Sequence, residues 1–185
     1  MDIVTLSLIS WENNMTDNMT VRNDKVIRRE RQPLCNIPGV EPEVDVYDLL
    51  VQQQQIDEME DFDTVDADEL AEDIKKVLCE TDPNMRRYLD TKPEEVSKFK
   101  IEYDNYPTPM RGPNNGVDVL GCFAKNWSKD WGGEIITFEE CDPKDVIASY
   151  PGRIVVNKNE AWIKVSQPNV RAEEELKYLF FTLSN

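Results

Sequence analysis

The clearest alternation of apolar and polar positions lies in the second half of the chain. FKIEY, VDVLGCFA, GEIITFEE, GRIVVNK, AWIKVSQ and KYLFFTL are short runs rich in β-branched and aromatic residues, split by Pro, Gly, Asn and Asp turn signals. Such a succession of strands, with no long helix between them, predicts an antiparallel sandwich or barrel. The first half has a different period. DADELAEDIKKVLCE sets Leu70, Ile74, Val77 and Leu78 at helical spacing, with Asp66 or Asp68 as cap, acids in the first turn, and Lys75 and Lys76 near the end. A second short helix is predicted from TKPEEVSKF, with Thr91 as cap and Pro93 in its first turn. PGVEPEVDVYDLL reads as extended at first and then helical through VQQQQIDEM, whereas VIRRERQPL ends in a proline that a helix does not pass.

Charge sharpens this division. Sixteen carboxylates lie between Glu41 and Asp82, opposed only by Lys75 and Lys76, so fourteen of the sixteen net negative charges fall there. Three regions follow: an N-terminal extension over 1–40, an acidic helical and extended segment over 41–90, and a β-domain over 91–185. The apolar stripe of the predicted helix must dock, either on its own domain or on a partner. Within the acidic run, Asp57, Glu58, Glu60, Asp61, Asp63, Asp66, Asp68 and Glu69 are the candidate contact for a basic protein, with plain solubility as the other reading.

A net charge of −16 and a pI near 4.4 exclude direct nucleic-acid binding and disfavour anionic membranes, because phosphate contacts need a Lys/Arg surface. No apolar run approaches a membrane span, and MDIVTLSLIS lacks the basic start of a secretion signal, so the chain is expected inside a cell. Cys35, Cys79, Cys122 and Cys141 are scattered, as expected of free thiols in a reducing compartment. Histidine is absent altogether, which removes Ser-His-Asp and Cys-His schemes and the common zinc sites. No phosphate-binding Gly-rich loop occurs, and DEMEDFDTVDADE lacks the central glycine of a calcium loop.

Two short motifs carry a resemblance. Trp131-Gly132-Gly133-Glu134 and, after a connection, Pro151-Gly152-Arg153 resemble in order and spacing the prolyl-hydroxylase-like branch of the iron(II)/2-oxoglutarate dioxygenases, over about Val117 to Leu183. The resemblance implies a mainly β fold, a double-stranded β-helix (jelly roll) preceded by the acidic, partly helical and extended N-terminal half. It also implies iron held by two histidines and a carboxylate. The proximal pair falls at Arg111 to Asn115, where the chain reads RGPNN, and the distal histidine at Ala161 to Lys164, which reads AWIK. The cosubstrate arginine aligns with Lys177, which keeps the charge without the planar fork.

The pocket expected on this alignment consists of Arg111, Asn114, Asp118, Trp162, Ile163 and Lys177. Asp118 and, on the same predicted strand, Cys122 offer only one carboxylate and one thiol. The expectation is therefore a chain with no metal and no cofactor that is not an enzyme, a structural or interaction component whose partners are other proteins. Since the resemblance includes proteins of tailed phages, the host cytoplasm or the virion is the expected location. Two alternatives remain open: an acidic inhibitor or nucleic-acid mimic that blocks a basic cleft, and an active oxygenase with an unconventional site.

Overall fold

Two antiparallel sheets enclose the main core in the computed structural model, which describes residues 19–22, 25–30, 44–51, 62–103, 110–111, 116–124, 126–139, 142–158 and 161–184. The strands are β1 (Met19–Arg22), β2 (Lys25–Glu30), β3 (Val44–Val51), β4 (Glu94–Ile101), β5 (Met110–Arg111), β6 (Gly116–Cys122), β7 (Ile135–Glu139), β8 (Asp142–Ile147), β9 (Arg153–Lys158), β10 (Trp162–Val165) and β11 (Leu176–Ser184). The larger sheet has the order β1-β2-β3-β9-β6-β11-β4 and the smaller β5-β10-β7-β8.

The pairing is nested. β7 pairs with β8, β6 with β9, β5 with β10 and β4 with β11, and successive pairs fall in alternate sheets. A long hairpin rolled up in this way is a jelly roll, so the chain has the mainly β, double-stranded β-helix fold expected of it. All six sequence-predicted runs are strands of this barrel.

Strand parity then assigns side chains to two cores. Leu120, Cys122, Val155, Tyr178 and Phe180 of the large sheet meet Ile135, Ile147, Ile163 and Val165 of the small sheet inside the barrel. On the other face of the large sheet, Val117, Val119, Ile154, Val156, Leu179, Phe181 and Leu183 meet helix α1 (Ala67–Thr81). The helix begins where its acids predict, with the Asp66 carboxylate accepting from the N–H groups of Asp68 and Glu69 at 2.9 and 3.1 Å. Ala71, Ile74, Leu78 and Cys79 are buried, with Leu70 and Val77 packed at the margin. The apolar stripe therefore docks on its own domain. Lys75, on this buried face, reaches the Thr91 carbonyl and Glu72, each at 2.7 Å, and the Tyr47 hydroxyl donates to Asp82 at the helix end.

Two readings change: the extended segment runs further than expected, and one predicted helix is a strand. VDVYDLLV continues as β3 to Val51, because Val44 and Val46 point into the barrel while Tyr47 points to the helix side, a period of two. Arg153 grips Asp48 with two hydrogen bonds of 2.7 and 3.0 Å, and Lys158 pairs with Asp45, so β3 is fastened to β9 by two ion pairs. The predicted continuation over VQQQQIDEM lies mostly outside the described residues. The second correction is TKPEEVSKF. Its Glu94–Phe99 portion opens β4, which closes the sheet edge beside β11, where Phe99 stacks on Tyr178 at 5.5 Å and Ile101 is buried. Pairing and burial outweigh the local helix signal.

Candidate functional site at the polar end of the barrel

The barrel interior is not uniform along its axis. At one end Trp127 is buried and meets Trp131 edge-on at 5.4 Å, and its indole N–H donates to the Gly132 carbonyl at 3.1 Å. Gly132 and Gly133 have φ of 80° and 73°, the left-handed region that glycine tolerates. A Cβ on Gly133 would lie 2.4 Å from Leu176. The Tyr178 hydroxyl, pushed well above its ordinary range by burial, is shared with Ser149 and the Gly133 carbonyl. Cys122, pushed up to about 12 by burial, is an inert core thiol here.

The opposite end, where β5 finishes and β10 begins, is lined by polar groups. Asp118 lies on the same face of β6 as Leu120, and Asn157 on the same face of β9 as Val155, so both face inward. They are register partners, and Thr182 of β11 stands opposite Asp118. From the small sheet, parity with Ile135 and Ile147 turns Thr137 and Asp145 inward. The Thr137 hydroxyl accepts from the Asp145 N–H at 3.1 Å and donates to its carboxylate at 3.3 Å. All five side chains are buried.

Asp118 differs from the rest. It is 0% exposed, and neither carboxylate oxygen has a hydrogen-bond partner among the described residues. Desolvation pushes its pKa up to about 7; the neighbouring Asn157 amide offsets part of that rise, and Glu95 adds to it. Asn157 commits an amide N–H to the Ala161 carbonyl at 2.9 Å, which leaves its own side-chain oxygen without a partner as well.

The residues expected to form one pocket are separated. Asp118 and Ile163 face the polar end. Trp162 is on the opposite face of β10 and 43% exposed, and it pairs in register with Arg111. Lys177 shares a face with Leu179 and Phe181, outside the barrel, where it meets Asp63 at 3.3 Å beside Lys100. Asn114 lies outside the described residues, as do Asp57, Glu58, Glu60 and Asp61. Asp63, Asp66, Asp68 and Glu69 are exposed along the start of α1 and the turn before it. Sequence reasoning missed Asn157, Thr137 and Asp145. The available signal was a polar residue at the inward parity of an apolar strand, as Asn157 is two positions after Val155 in IVVNK.

No family model matches the chain, and no curated protein does. Eleven chains among the solved structures are similar, two of them as follows. One is an oxidoreductase of the 2OG-Fe(II) oxygenase family from Burkholderia pseudomallei, at 13% identity over 96% of this chain and 77% of that one, with a TM-score of 0.40. The other is a Pseudomonas putida prolyl-4-hydroxylase, at 12% identity over 98% of this chain and 85% of that one, with a TM-score of 0.42. The expectation that the chain is not an enzyme is corrected by this finding. Both similar proteins are named as enzymes of oxygenase type, and nothing among the described residues shows that activity has been lost.

Iron of the kind the sequence resemblance implies does not fit the side chains present. The inward residue of β10 is the fully buried Ile163, imidazole is absent from the whole chain, and no three His, Cys, Asp or Glu residues converge among those described. No helix among the described residues is long and apolar enough to cross a membrane.

Proposed function

We propose that this jelly-roll protein acts as a protein-interaction component, and that the outward face of α1 is its contact for a basic surface on a partner. The observation that carries this reading is how α1 divides its two faces. Its apolar stripe is used up against its own large sheet, while Asp68, Glu69, Asp73 and Glu80 are exposed on the other side and Asp63 and Asp66 extend the acidic run. Lys76, held by Asp73 at 3.4 Å, is the one exposed cation of the helix. Packing holds these carboxylates on a rigid element, which favours rapid, electrostatically steered encounter with a cationic surface. An assembly neighbour in a virion is the setting that the sequence resemblance suggests.

The test is affinity capture with the full chain and with D68N/E69Q/D73N, which spares the Asp66 cap. Expected is a partner with a basic surface that is captured at about 50 mM salt, is lost at about 300 mM, and is not retained by the triple variant. A partner held equally by both proteins would overturn the acidic-face assignment. Capture of a nucleic-acid enzyme through its basic cleft would replace this reading with that of a mimic.

A further inference from the structure

We propose that the turn at 62–66 is an electrostatic latch that closes the start of α1 onto β4 and β11 and so fixes how the acidic face of the helix is presented. Presentation matters only if that face is the partner contact proposed above, whereas the latch stands on its own geometry. Strand parity puts Lys98 and Lys100 of β4 and Lys177 of β11 on the helix side of the large sheet, in the rows of Val96 and Leu179. Lys100 and Lys177 are register partners, so two like charges stand directly opposite each other, which destabilises a sheet unless an anion bridges them. Asp63 is that bridge. Its Oδ2 accepts from Lys100 at 3.0 Å and from Lys177 at 3.3 Å, and Lys100 also meets Glu175 at 3.0 Å. Two positions earlier on β4, the Lys98 ammonium donates to the carbonyls of Phe62 and Val65 and lies 4.9 Å from the centre of the Phe62 ring.

The ring has a built seat. A Cβ on Gly121 would lie 2.9 Å from the Phe123 ring, so the glycine leaves the space that Phe123 occupies. Phe62 stacks on Phe123 at 5.3 Å and 24° and is itself buried. None of these contacts is a sheet hydrogen bond, so the turn can leave while the barrel stays paired. Its ion pairs are open to water, with the Asp63 side chain 52% and the Lys100 side chain 39% exposed, and salt screens such pairs. The rest of α1 is held differently, by Ala71, Ile74 and Leu78 buried in the core between helix and sheet. The first turn of the helix is therefore the part that detaches most readily, taking Asp68 and Glu69 out of the array that Asp73 completes. Asp63 is thus a positioning residue. It is committed to lysines of its own chain, and it holds in place the acids that follow it.

The test is hydrogen exchange of the full chain, read on the amides of residues 68–74 and on those of β6 and β11. D63N leaves Lys100 and Lys177 opposed, and K98M removes both carbonyl contacts. Each should speed exchange over 68–74 by about tenfold and leave the strands unchanged. K177Q added to D63N relieves the opposed charges and should return part of the protection. In the wild type, raising salt from about 50 to about 300 mM should speed the same amides selectively. Two results would overturn the latch: exchange over 68–74 that neither variant changes, or a rise that the strands share equally. Should the variants not fold, a wild-type segment insensitive to salt overturns it as well. The capture assay then separates the latch from the reading it serves. K98M keeps every acid, so its weaker capture of the basic partner would show that the latch sets how the face is presented. If D68N/E69Q/D73N captures as well as the wild type, the acidic-face reading falls, while exchange still decides the latch.

Discussion

The two ends of the barrel interior are built from the same strands, yet they meet the cost of burial in opposite ways. At the Trp127 end, large apolar side chains fill the space and the few polar atoms are satisfied in one network of Tyr178, Ser149 and the Gly133 carbonyl. At the Asp118 end, small polar residues replace them and two side chains keep oxygens without a hydrogen-bond partner among the described residues. Packing defines the first end; an unmet electrostatic demand defines the second. Substitutions at the two ends should therefore fail for different reasons, and that difference can be measured.

The largest loss of stability from a substitution is expected at Gly133. Its φ of 73° penalises any side chain, and a Cβ there would press on Leu176 at 2.4 Å and on Trp127 at 3.2 Å. Gly133→Val combines a left-handed backbone penalty of about 1–2 kcal/mol with overpacking of similar size. Together they give about 3 kcal/mol, read as a lower urea midpoint. A loss below about 1 kcal/mol would show that this end is looser than its packing indicates.

Asp118→Asn probes the other end and should act with the opposite sign. In the folded protein the Asp118 pKa is raised from 3.8 to about 7, so the native state holds a proton that the unfolded chain releases. Its contribution is complete below the unfolded pKa and is lost as pH rises through the folded one. Wild-type stability should therefore decline between about pH 4 and pH 7, at up to about 1.4 kcal/mol per pH unit. The Asn variant should lack that component and be the more stable protein at pH 8. Superimposable pH–stability profiles would mean that the carboxylate has a donor after all.

This contrast explains what was legible in the sequence. The barrel was legible because its strands alternate strongly: β6, β10 and β11 each bury at least two apolar side chains between the sheets, and β7 and β9 bury Ile135 and Val155 there. α1 was legible because its cap, its first-turn acids and its stripe all agree. β3 and β4 were legible only in part, at the start of the first and at FKI of the second, since VDVYDLL and PEEVSKF have mixed local preferences that pairing with β9 and β11 decides. The polar end was half legible. Asp118 was singled out for standing near the expected ligands, but its meaning depends on Asn157, thirty-nine residues later and adjacent only through register. Lys177 misled because one residue of parity puts it on the outer face while Tyr178 turns inward.

The smallest effect is expected from Thr137→Val, and it separates a satisfied polar residue from an unsatisfied one within the same end. Thr137 uses its hydroxyl twice against Asp145, accepting from the N–H and donating to the carboxylate. Valine keeps the shape and removes both bonds, for a net loss of about 1 kcal/mol, read as a shift in the thermal midpoint. The companion change, Val165→Thr, puts a hydroxyl on a fully buried position of β10 at the apolar end and should lose at least as much, because the core it enters is built from hydrocarbon. If instead Thr137→Val is neutral while Asp118→Asn remains stabilising, the hydroxyl of Thr137 contributes nothing net. The polar end would then be held only by the strands around it, and its pH dependence would rest on Asp118.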